Sequence, residues 1–81
     1  MEYNKLIHLN LNQVSDFVRA ASNCNFDVDI ANKERRNYIV DAKSILGVLG
    51  LDLRGPLLVS YNGHDQRFEN FLNRCRCITA A

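Results

Sequence analysis

A chain of 81 residues has room for one hydrophobic core and no second domain, so residues 1–81 are expected to fold as a single unit. Its 47% apolar and 23% charged residues are globular proportions, and ten basic against nine acidic residues leave a formal charge of +1, which calls for neither nucleic acid nor an anionic membrane. The opening Met1-Glu2-Tyr3-Asn4-Lys5 lacks the basic start and apolar core of a secretion signal, and no apolar run approaches the roughly 20 residues that span a bilayer, so a cytoplasmic monomer is the expectation.

Lys5 to Leu9 has Ile7 and Leu9 on one side and Leu6 and His8 on the other, the period of a strand covered on one face. Asn10 to Gln13 turns into a helix, with Asn12 or Ser15 as its cap, and Val14, Phe17, Val18 and Ala21 recur as one apolar stripe. Ser22-Asn23-Cys24-Asn25 breaks that helix. Phe26-Asp27-Val28-Asp29-Ile30 then alternates apolar and acidic, the pattern of a strand with a solvated outer face; Asp27 and Asp29 alone are too few ligands for a hard cation.

Asn32 to Arg36 is a polar hairpin connection holding Lys33, Arg35 and Arg36 with Glu34 among them. Asn37 to Ala42 returns as a third strand, with Tyr38 and Val40 on one face and Ile39 on the other. It delivers Lys43 and Ser44 to a short helix that Gly50 and Asp52 help to end, with Ser44 as cap. Ile45, Leu46, Val48, Leu49, Leu51 and Leu53 put apolar groups on more than one side of so short a segment, so some of that surface must face outward. After the turn Arg54-Gly55-Pro56, Leu57 to Tyr61 forms the fourth strand. His64 lies in the next loop, Asp65 caps the last helix, and Phe68, Phe71, Leu72 and Cys75 make its stripe from Gln66 to about Ile78. Cys24, Cys75 and Cys77 are odd in number and lack Cys-x-x-Cys spacing, so reduced structural thiols are expected; a strained Cys75–Cys77 pair is the alternative. This order, β-α-β-β-α-β-α, predicts an α+β domain: an antiparallel sheet with helices on one face and the other face open.

Ala42-Lys43-Ser44-Ile45-Leu46-Gly47-Val48-Leu49 resembles the regulatory-serine segment of HPr, the histidine-containing phosphocarrier of the bacterial sugar phosphotransferase system. The spacing of the other elements is compatible with that family over nearly the whole chain, and the resemblance implies an HPr-like open-faced sandwich of four antiparallel strands with three helices on one face. The family's Gly-x-His-x-Arg-Pro motif, whose His carries the phosphoryl group, is missing. Counting back from Phe17-Val18-Arg19-Ala20-Ala21, which resembles the body of the helix that motif opens, Asn10 falls at the His position, Asn12 at the Arg and Gln13 at the Pro.

No nucleotide loop, metal-ligand set or Ser/His/Asp arrangement stands out, so no catalytic residue, metal or cofactor is expected. The resemblance implies that Ser44 is the target of an ATP-dependent kinase/phosphorylase, that Lys43, Ile45, Leu46 and Leu49 meet protein partners, and that these belong to the phosphotransferase or catabolite-control system, including a transcription factor. Phosphate on Ser44 would add up to about two negative charges where a helix dipole favours them. The plainer alternative leaves Ser44 as a cap only. Two further alternatives are phosphoryl relay through His8 or another route, and a structural paralogue that pairs through the open sheet face or the short helix.

Overall fold

The computed structural model describes residues 2–77. Strands β1 (Tyr3–Ile7), β2 (Val28–Asn32), β3 (Ile39–Asp41) and β4 (Leu57–Tyr61) form one sheet in the order β1-β4-β2-β3, antiparallel at every neighbouring pair. Helices α1 (Val14–Ser22), α2 (Ile45–Leu49) and α3 (Gln66–Cys75) pack on one face, where Val14, Phe17, Val48, Phe68 and Leu72 meet Ile7, Ile30, Val59 and Tyr61 in a single core. Each large side chain buried there stabilises the fold by roughly 1.5–3 kcal/mol. The expected open-faced α+β sandwich is the observed one. The helices turn the stripes assigned to them inward: Val14, Phe17 and Ala21 are buried on α1 with Val18 half-buried beside them, and Phe68, Phe71, Leu72 and Cys75 are buried on α3.

Element ends differ from expectation, and each shift has a bonding cause. β1 covers Tyr3–Ile7 instead of Lys5 to Leu9, because Tyr3 pairs with Tyr61 and the N–H of His8 leaves the ladder to donate to the Cys75 carbonyl at 2.8 Å. β2 starts at Val28; Phe26 stays outside it and stacks on Tyr61 with ring centroids 5.8 Å apart. β3 is cut to Ile39–Asp41 because Lys33–Arg35 winds into a 3-10 turn and the Tyr38 N–H is spent on the Arg35 carbonyl. Tyr38 is exposed and does not share the inward face of Val40.

α3 ends at Cys75, short of Ile78, which lies outside the described residues. Arg76 turns extended and bridges to Ile7, and the Cys77 N–H donates to the Leu6 carbonyl at 3.0 Å. The chain after α3 thus covers the free edge of β1, which would otherwise present unpaired backbone groups. The entry to α1 also differs from both caps named above. A 3-10 turn, Leu11–Gln13, precedes the helix, and Asn10 holds the cap position in an extended conformation.

Candidate functional site

Ser44 sits in extended backbone at the start of α2, and its Oγ accepts the Gly47 N–H at 3.3 Å. Its carbonyl accepts the Val48 N–H, so the residue closes both the side-chain and the main-chain end of the first turn. Gly50 ends the helix by donating to the carbonyls of Leu46 and Gly47. Asp52, expected to help, is used elsewhere: its backbone makes a reciprocal pair with the Asn32 amide, and its carboxylate holds Arg54. A Cβ on Gly47 would lie 3.3 Å from Val40 Cβ, which is how closely α2 approaches β3.

Five residues of helix cannot bury apolar groups all round. Val48 and Leu51 point into the core, while Leu46 is 79% exposed and Ile45 and Leu49 are each 44% exposed. The outward set is an apolar patch beside the exposed hydroxyl of Ser44. Lys43 is placed differently from these. Its Nζ donates to the Cys24 carbonyl at 3.2 Å, just past the end of α1, and its backbone N–H donates to Asp41 Oδ1. A cation suits the carbonyl end of a helix, so Lys43 is a strut between α1 and α2.

Asn10, Asn12 and Gln13 line the entry to α1. The Asn10 N–H donates to Gln13 Oε1 at 2.8 Å and the Gln13 N–H to the Asn10 carbonyl at 2.9 Å, so the two ends of the turn hold each other. The first turn of α1 carries the acid Asp16, which pairs with Arg19 at 3.7 Å. His8 is exposed just beyond β1, and His64 is exposed in the loop before α3.

Leu11 was not singled out from sequence. It is 72% exposed in the 3-10 turn ahead of α1, the helix that packs against α2. All three cysteines are free, and burial pushes each thiol above its ordinary range; no Cys75–Cys77 bond forms. Among the described residues no group of three or more His, Cys, Asp or Glu converges to hold a metal, and no helix is long and apolar enough to cross a membrane.

No protein-family model matches the chain, and no curated protein does. Its fold does match solved structures. The crystal structure of a phosphocarrier protein HPr from Bacillus anthracis str. Ames superposes over 94% of this chain and 96% of its own length, with a TM-score of 0.66 and 19% sequence identity. That likeness establishes a shared HPr-like fold.

Proposed function

We propose that this HPr-folded chain is a regulatory or binding protein of a sugar-phosphotransferase-type system, working as a cytoplasmic monomer through the α2 face around Ser44 and relaying no phosphate through histidine. The observation that carries the reading is the combination on α2 of an exposed hydroxyl with the outward apolar side chains of Ile45, Leu46 and Leu49. Such a patch costs solubility unless a partner covers it. A phosphate on Ser44 would place charge at the start of the helix and at the rim of that patch, changing which partners it accepts. Lys43 supports the arrangement by fixing α2 against the end of α1.

The residues at the α1 entry support the absence of a relay. The amide of Asn10 has no ring nitrogen to take a phosphoryl group. The nearest charge on the first turn is the acid Asp16, and Arg19 is already paired with it, so a phosphoryl group there would meet repulsion without a dedicated cation.

Incubation with an HPr serine kinase and ATP tests the reading. Acid-stable phosphate, one per chain, is expected, and it should vanish in Ser44→Ala. Ser44→Asn is the control that retains a capping side chain while removing the hydroxyl. Phosphate that persists in both variants, or none in the unmodified chain, would contradict the assignment of Ser44.

A further inference from the structure

A second surface lies on the side of the sheet that no helix covers among the described residues. Directly paired residues share a face, and the register there puts Leu6 beside Leu58, Leu58 beside Ala31, and Ala31 beside Ile39. These four form an apolar row across the full width of the sheet. Ile39, at the edge, is 59% exposed. The neighbouring row is polar: Asn4, Ser60, Asp29 and Asp41, with the Ser60 hydroxyl donating to Asn4 Oδ1 at 2.7 Å.

The row is not flat. Ala31 has a small side chain between Leu58 and Ile39, and a depression of about 120 Å³ opens there, rimmed by Glu2, Asp29, Arg36 and Ser60. One aliphatic side chain would find apolar walls on both sides. The charge around it is unbalanced. The Asp29 carboxyl has its pKa raised, first by burial and then by repulsion from Asp41, Asp27 and Glu2. Arg36 is the single base among the residues that line the depression. The lining thus has two acids, Glu2 and Asp29, against one base, and Asp41 pairs directly with Asp29 on the adjacent strand, which favours a cationic visitor.

We propose that the open face of the sheet is a second docking surface, whose occupant is a basic amphipathic protein segment that lays an apolar side chain between Leu58 and Ile39 over Ala31 and sets Lys or Arg against Asp29, Asp41, Asp27 and Glu2. This surface faces away from α2 and does not depend on the role of Ser44.

The test is amide chemical-shift mapping with two blocked synthetic peptides, one alternating lysine and leucine, the other alternating glutamate and leucine. The lysine peptide should shift Asp29, Ala31, Ile39, Leu58 and Ser60, and bind at least about tenfold more weakly in 0.5 M than in 0.05 M salt. Ala31→Leu fills the depression and Asp29→Lys reverses its charge, and each should weaken binding by about tenfold or more, with an unchanged circular dichroism spectrum. Equal binding of the glutamate peptide, shifts centred on Ile45, Leu46 and Leu49, or no shifts at millimolar peptide would overturn the proposal. Concentration-dependent shifts of the same residues without peptide would overturn it too, by making the occupant a second copy of this chain.

Discussion

Tyr61 donates its phenol hydrogen to the carboxylate of Glu69, joining the end of β4 to the first turns of α3. The ring is buried against Tyr3, Phe26 and Phe68, and Glu69 in turn reaches Lys5 on β1 at 3.9 Å. Burial and the adjacent carboxylate both hold the phenol well above its ordinary pKa. The unfolded chain releases that proton near pH 10 while the folded chain keeps it, so the contribution to stability is complete below about pH 10 and falls as pH rises. Tyr61→Phe should cost about 1–2 kcal/mol at pH 7 in urea unfolding, and the gap to the unmodified chain should narrow above about pH 10. Parallel pH dependences for the two would contradict it.

Asp29 gives the same sign from a carboxyl group. Its raised pKa means that folding loses stability as pH climbs through the folded-state value, because the ionised form sits among Asp41, Asp27 and Glu2. Asp29→Asn should therefore stabilise the protein slightly at pH 7, by less than about 0.5 kcal/mol at so exposed a site. The gain should disappear below about pH 3.9, where the unfolded carboxyl is protonated as well. Chemical denaturation at pH 7 and pH 3 measures both ends.

Gly63 stands where a side chain cannot. A Cβ there would lie 2.3 Å from the Phe26 ring, which is itself stacked on Tyr61, so the ring would have to leave its place. Gly63→Ala should cost about 1–3 kcal/mol in thermal unfolding and perturb the ring resonances of Phe26 and Tyr61. Gly55, with open space around it, should accept alanine with a change within about 0.5 kcal/mol.

On α2 the residues divide by what they face. Leu46→Ala should leave stability within about 0.5 kcal/mol, whereas Val48→Ala, on the opposite, buried side of the helix, should cost about 1–3 kcal/mol. Lys43→Met should loosen α2 from the end of α1, read as faster amide exchange at Gly47 and Val48 with little change in β4. Uniform exchange behaviour across the sheet and α2 would show that Lys43 is not the strut.

Much of this architecture was visible in residue order because it rests on local patterns. The stripes of α1 and α3 and the alternation around Val28 and Ile30 are each set within a few residues, and an excess of apolar groups on α2 forces some outward. What sequence concealed was set at a distance. The stop at Cys75 comes from pairing of Arg76 and Cys77 with β1, and the commitment of Lys43 comes from a carbonyl 19 residues away. Leu11 stands in the 3-10 turn ahead of α1 and is 72% exposed, and nothing in its spacing marks it as an outward residue. The apolar row on the open sheet face needed the strand register, since Leu6, Ala31, Ile39 and Leu58 are brought together only by pairing.

The proposed function joins an HPr-like fold to an α1 entry that relays no phosphate. Intact mass after incubation with the upstream phosphotransferase enzyme and phosphoenolpyruvate tests it most directly, with acid treatment to separate phosphohistidine from phosphoserine. No acid-labile phosphate is expected, together with acid-stable phosphate on Ser44 in a parallel incubation with serine kinase and ATP. Acid-labile phosphate in the first reaction, lost on His8→Ala or His64→Ala, would contradict it and return the chain to relay chemistry.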